Sequence, residues 1–238
     1  MAMIPETKDR LMDVSVATLA TALFKRGLRN QVIQDVRPVA RKSRNMVGPA
    51  FTLRYMPARE DRNTLAGFRN PDHPQRQAIE QCPAGHVLVM DSRKDARAAS
   101  AGDILVTRLM VRGGAGVVTD GGFRDSMVIG ALDMPAYHSR PASPTNLTLH
   151  EAIDINVPVG CGDVAVFPGD IVVGDDDSVI VIPAHLADEI AAEAHEMTAY
   201  EDFVVERVKA GETIIGLYPR TKDEHLLAFE AWRHKNNR

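Results

Sequence analysis

The chain has 238 residues, 45% of them hydrophobic and 25% charged, an ordinary balance for a globular protein able to bury a full core. A formal net charge of −4 gives no overall field to draw it to nucleic acid or to an anionic membrane. The cysteines, Cys82 and Cys161, are far apart and lack paired spacing, which argues against a disulfide framework or a structural zinc site and fits a reducing, cytoplasmic location.

The opening "MAMIPETKDR" carries charges where a signal peptide needs its apolar centre, and no apolar run approaches the length of a membrane span. The next stretch predicts a helix, with Leu11, Val14, Leu19, Ala22 and Leu23 on one face and Gly27 as its stop. The basic "VARKSRN" (39–45) reads as a solvated surface turn, and "VGPAFTLRYM" (47–56) as a strand. Residues 57–80, with Pro71 and Pro74, read as a long loop entering a short helix.

The centre alternates strand and helix. "HVLVMD" (86–91) predicts a buried strand, "SRKDARAASAGD" a polar loop, and "ILVTRLMVR" (104–112) a helix stopped by Gly113 and Gly114. "AGVVTD" (115–120), "SMVIGALD" (126–133) and "MPAYHS" (134–139) continue as strand, helix, strand, the pattern of parallel βαβ units. After residue 155, short strands punctuated by Gly-Asp turns predict antiparallel hairpins. Residues 184–211 then read as a long amphipathic helix with room for one break, and the last residues as a docked arm.

Ligands of parallel α/β sheets bind where strand ends lead into helix starts. Two such places neighbour one another here, "AGDIL" (101–105) and "DGGFRDS" (120–126), so Gly102, Asp103, Arg124 and Asp125 are expected to share a crevice. Free N–H groups of Ile104 and Leu105 would receive a carboxylate. Arg124 offers a planar fork to a carboxylate or enolate oxygen. Asp125 is a hard oxygen ligand suited to Mg²⁺ or Mn²⁺. The two aspartates also stand where helix caps stand, and Arg124 could simply pair with one of them, so spacing leaves both readings open.

Other motifs carry less. "GGAG" (113–116) lies between helix and strand, the wrong order for a dinucleotide or methyl-donor loop. "GDDDS" (174–178) lacks the spacing of a calcium loop and reads as a hairpin turn. His138 reads as a hydrogen-bonded structural histidine. Serine-hydrolase, P-loop and zinc-protease signatures are missing from the sequence.

Taken whole, "AGDILVTRLMVRGGAGVVTDGGFRD" resembles the signature of the RraA-like family: a glycine, twenty-one intervening residues, then Arg-Asp, preceded by Asp-Gly. "PGDIVVGDDDSVIVIP" (168–183) is similar to that family's hairpin. The family includes regulators of ribonuclease E and class II 4-hydroxy-4-methyl-2-oxoglutarate/4-carboxy-4-hydroxy-2-oxoadipate aldolases. The resemblance spans residues 10–215, which implies one catalytic domain over 1–215 with a C-terminal tail, 216–238. It implies an α/β fold layered β/β/α, with a central parallel βαβ region and antiparallel hairpins, assembled as a trimer or hexamer.

By position, it implies that Gly102, Asp103, Ile104 and Leu105 form the substrate loop, with Asp103 orienting metal-bound water. Arg124 would contact a short 2-oxo acid and Asp125 would be the one direct protein ligand to Mg²⁺. An acid from a neighbouring subunit is also implied, with Glu201 and Glu206 as candidates. An acid often found two to four residues after the family's Arg-Asp is missing from "SMVIG", which bears on substrate preference. The activity so implied is a divalent-metal-dependent carbon–carbon lyase of aldolase or oxaloacetate-decarboxylase type, releasing pyruvate. The rivals are a non-catalytic regulator of ribonuclease activity, and a lyase or hydratase for a sugar-derived 2-oxo acid.

Overall fold

The computed structural model describes residues 3–236 and residue 238. Where one N-terminal helix was expected, two form, α1 (Pro5–Asp13) and α2 (Val16–Lys25). The break falls at Ser15, whose hydroxyl accepts the Thr18 N–H at 3.1 Å and caps α2. Strands β1 (Arg37–Pro38) and β2 (Met46–Pro57) precede α3 (Pro74–Gln81) and β3 (Val87–Asp91). The polar stretch expected as pure loop contains a short strand, β4 (Ala99–Ala101), ahead of α4 (Asp103–Val111). Next come β5 (Gly116–Thr119), a second short strand β6 (Gly122–Phe123), α5 (Ser126–Ala131), β7 (Ala136–His138), β8 (Arg140–Pro141) and β9 (His150–Ile155). β10 (Ile171–Gly174) and β11 (Val179–Ile182) make the expected antiparallel hairpin. The chain closes on α6 (Ala187–Lys209), which runs unbroken, and α7 (Asp223–Asn236).

The larger sheet has the order β1-β7-β5-β3-β2-β10-β11, with β9 also paired to β2. Its centre, β2-β3-β5-β7, is parallel; the flanking strands are antiparallel. A smaller sheet, β4-β6-β8, is parallel throughout. Each of its strands follows directly on a strand of the larger sheet, β3, β5 and β7 in turn. Two sheets and their covering helices thus give the mixed α/β architecture that the alternating pattern predicted.

Alternation along β2 divides the core. Phe51, Leu53 and Tyr55 pack with Ile79, Val106, Leu109 and Phe123, whereas Met46 and Ala50 join Val89, Val118, Val172 and Val181 in a separate cluster. The five expected N-terminal core residues, Leu11, Val14, Leu19, Ala22 and Leu23, are all buried against β10, β11 and α6. Each such leucine contributes roughly 1.5–3 kcal/mol. The C-terminal arm docks through Phe229 and Trp232 of α7 on Phe203 of α6, with ring centroids 5.7 and 6.0 Å apart. Among the described residues no helix is long and apolar enough to cross a membrane.

Candidate active site

β4 and β6 lie side by side, Ala101 in register with Phe123, and the Arg124 N–H donates to the Ala101 carbonyl at 3.0 Å. Their carboxyl ends therefore deliver both candidate loops to one place. Gly102, Asp103, Ile104, Leu105, Arg124 and Asp125 all line a single cavity of about 290 Å³. The crevice was expected at the ends of the two long strands; the short strands that follow them form it instead.

Neither of the two glycines of "TDGGFRDS" has a left-handed backbone. They are needed for close approach. A Cβ on Gly121 would lie 2.7 Å from both Ser100 Oγ and Ser92 Cβ, and one on Gly122 2.5 Å from Ala142 Cβ. Beneath Gly121 the buried hydroxyls of Ser92, Ser100 and Thr119 form a chain, with Ser100 2.7 Å from Ser92 and 2.6 Å from Thr119. Thr119 Oγ1 also accepts the Gly121 N–H at 2.9 Å. Asp120, wholly buried, accepts the N–H groups of Ser92, Lys94 and Gly162 and so ties three loops together. Burial pushes its carboxyl above the usual range, against the pull of those three bonds.

Asp125 adopts the left-handed conformation (φ 53°, ψ 37°) at the start of α5, and its side chain makes no cap hydrogen bond. The capping reading of Asp125 therefore fails. A Cβ on Gly102 would lie 3.4 Å from Asp125 Oδ2, so the Gly102 backbone runs alongside that carboxylate. Asp103 is not a cap either: Gly102 holds that position, and Asp103 is the first helical residue of α4. The first intrahelical bond runs from Val106 N–H to the Gly102 carbonyl, which leaves the N–H groups of Asp103, Ile104 and Leu105 outside the helical ladder. The Ile104 N–H, expected free, donates to Asp103 Oδ1 at 2.8 Å. Nearby ion pairs join Arg97 to Asp95 and Arg108 to Glu80; among the described residues none joins Arg124 to Asp103 or Asp125.

Two wall residues with unmet donors, Arg76 and Asn146, escaped the sequence reading. Arg76, on the first turn of α3, has Nη1 buried with no hydrogen-bond partner, and its guanidinium lies over the Phe68 ring, 4.8 Å from the centroid. Asn146, 4% exposed, has Nδ2 buried and unpartnered, while its Oδ1 accepts from Thr145 Oγ1. Arg76 lies where a long loop was expected to enter a short helix and Asn146 in a polar turn, and no local signal marks either as a cavity residue.

His138 does not line the cavity. It is structural, as expected, but through burial and stacking on Phe123 (centroids 5.6 Å apart) rather than hydrogen bonding, for Nδ1 has no partner. Burial lowers its pKa to about 4. Glu201 and Glu206 also lie away from this cavity of their own chain. Glu201 accepts from Thr18 Oγ1 and the Tyr218 hydroxyl, and Glu206 accepts Trp232 Nε1–H at 2.6 Å. Cys82 and Cys161 are buried and free.

Among the described residues no three His, Cys, Asp or Glu side chains form a metal cage. Asp125 fits the alternative, a single hard oxygen ligand on the cavity wall, which suits a cation that keeps most of its waters.

Fold and site together define an α/β protein with a cavity at the carboxyl ends of parallel strands, lined by Arg124, Asp125 and the start of α4. The RraA-like family model, described as Aldolase/RraA, matches residues 16–181, and the chain belongs to that family. It is 33% identical over 179 residues to a Halalkalibacterium halodurans protein named "Putative 4-hydroxy-4-methyl-2-oxoglutarate aldolase", covering 74% of this chain and 77% of that one. An Ectopseudomonas mendocina protein of the same name is 34% identical over 112 residues, 47% of this chain and 68% of the other. The crystal structure of Streptomyces coelicolor RraAS2, described as an unusual member of the RNase ES inhibitor RraA protein family, superposes with a TM-score of 0.75 at 30% identity. That match covers 85% of this chain and 97% of the other.

Proposed function

We propose that the protein is a divalent-metal-dependent carbon–carbon lyase that cleaves short 2-oxo acids and releases pyruvate. The observation carrying this reading is Asp125: a carboxylate held in a left-handed backbone without a cap bond, in a cavity also lined by Arg124 and the start of α4. A cation held there, Mg²⁺ or Mn²⁺, would supply electrostatic stabilisation of the enolate oxygen that develops as the carbon–carbon bond breaks.

The chain's own groups do the rest. Backbone N–H groups at the start of α4 receive the substrate carboxylate, where helix geometry favours an anion. Arg124 directs its fork at the 2-oxo oxygen as negative charge grows there, the kind of stabilisation that usually contributes most to rate. Asp103 keeps one oxygen on the Ile104 N–H and has the other to orient water and pass a proton. Ile104, Met127 and Val128 are exposed beside these residues, with Met127 at 91%, and support a homotrimer or hexamer in which a neighbouring subunit covers the cavity mouth.

The rival is a non-catalytic ribonuclease regulator, favoured by the likeness to the RraAS2 structure. The test is pyruvate release from oxaloacetate and from 4-hydroxy-2-oxo acids by protein supplied with Mg²⁺, before and after chelation. We expect turnover that chelation abolishes. Turnover indifferent to chelation removes the metal from the mechanism, and no turnover of any 2-oxo acid favours the regulator.

A further inference from the structure

Arg76 and Asn146 have no function in the reading so far, although their donors are costly as they stand. A buried N–H without an acceptor loses its hydration and gains nothing, and a guanidinium with a buried edge needs a counter-charge. Arg76 Nη1 and Asn146 Nδ2 are both in that condition, and both residues line the cavity that holds Arg124 and Asp125. They arrive on separate elements, Arg76 from α3 and Asn146 from the turn ahead of β9. Phe68 stacks on the guanidinium and restricts its orientation. Two residues with unmet donors thus share a cavity of about 290 Å³ with Arg124 and the start of α4, the groups assigned above to the pyruvoyl half of the substrate.

We infer that Arg76 and Asn146 form a second anion subsite that holds a carboxylate on the departing fragment, and that this subsite biases the enzyme toward retro-aldol cleavage over β-decarboxylation. The inference rests on the lyase reading, and the two reactions explain the bias. In retro-aldol cleavage of a 4-hydroxy-2-oxo diacid, the C3–C4 bond breaks and its electron pair passes to C3 as the pyruvate enolate. The C4 hydroxyl loses its proton to a base, C4 becomes a carbonyl, and C3 is then protonated. The remote carboxylate keeps its full charge throughout, so Arg76 binds ground state and transition state alike. In decarboxylation the same bond breaks with the same electron pair moving to C3, but the carboxylate itself leaves as neutral CO₂. An arginine on that carboxylate stabilises the ground state more than the transition state and slows the step.

The experiment compares wild type, Arg76→Gln and Asn146→Ala on 4-hydroxy-2-oxoglutarate, its neutral-ended counterpart 4-hydroxy-2-oxopentanoate, and oxaloacetate. The expected result is a preference for the diacid in wild type and a loss of about 10- to 100-fold in its kcat/KM in either variant, the range for a hydrogen bond to a charged group. Turnover of 4-hydroxy-2-oxopentanoate should be unchanged, and kcat for oxaloacetate unchanged or raised. Equal losses on all three substrates overturn the subsite, as does a wild type indifferent to the remote carboxylate. A second measurement does not need turnover: calorimetric binding of 2-oxoglutarate and 2-oxopentanoate in the presence of Mg²⁺. Wild type should favour the diacid and Arg76→Gln should erase the difference; no binding of either acid, or equal binding of both, overturns the inference. Selective binding without turnover removes the lyase reading and leaves the subsite standing. Turnover without selectivity does the reverse.

Discussion

At Asp125 the backbone bears a cost that nothing in the local fold returns. A non-glycine residue in the left-handed region is strained by about 1–3 kcal/mol, although aspartate and asparagine tolerate it best. The side chain makes no cap bond to offset that strain. Asp125→Asn should therefore fold and melt like the parent, while removal of the anionic ligand collapses metal-dependent activity; a folded variant of near-parental activity would make the residue structural. Arg124→Lys is the companion test. It retains the charge and loses the planar fork, so the expected loss is about 10²–10³ in rate with an unchanged melting temperature, by analogy with other oxyanion donors.

His138 makes a prediction of a different kind. Its pKa is lowered to about 4 from an ordinary 6.5 because the buried ring resists protonation and Arg37 stands near it. The unfolded chain then takes up a proton first as pH falls. Stability is full above about 6.5 and declines as pH falls through the window toward 4, by roughly 3 kcal/mol in all. Urea denaturation at pH 7 and pH 4.5 should show the decline in wild type and a smaller one in His138→Phe, which can retain the stack on Phe123. Equal slopes would mean that His138 does not drive it.

At the level of elements, the site depends on how closely β4 and β6 approach. Gly121→Ala should cost about 1–3 kcal/mol, since the new methyl would press on Ser92 and Ser100, both fully buried. Relief requires the Arg124 loop to shift away from Ala101, so activity should fall with stability. A variant that melts normally but turns over slowly would separate the two effects. The C-terminal arm is built independently: Phe229→Ala should loosen α7 from α6, read as faster hydrogen exchange in α7, and leave 2-oxo acid binding in place.

For the molecule as a whole, Ile104, Val128 and above all Met127 leave apolar surface open beside a cavity that would otherwise face water. Light scattering should report a trimer or a multiple of it, and Met127→Glu should dissociate the assembly and lose activity together. A fully active monomer would discard this arrangement. Glu201 and Glu206 are held by Thr18, Tyr218 and Trp232 of their own chain, so a role in a neighbour's cavity would require those bonds to open.

Sequence by itself determined the long elements and the candidate residues that the fold brings to one cavity. Periodicity is strong wherever several apolar residues repeat on one face, as in α2, β2 and α6, and the family resemblance of the glycine-to-Arg-Asp segment singles out Gly102, Asp103, Arg124 and Asp125. Tertiary structure alone decided the rest. β4 and β6 are three and two residues long, too short for any period to show, and exist because each pairs with a partner distant in sequence. The break at Ser15 came from a single cap bond competing with continued apolar spacing. Whether Asp125 caps a helix depends on a left-handed backbone that residue type permits but does not dictate. Arg76 and Asn146 become binding groups only because burial strips them of water and leaves them no partner. That condition belongs to the packed molecule, since a local stretch of sequence specifies which donors are present and only the surrounding fold specifies which of them remain unsatisfied.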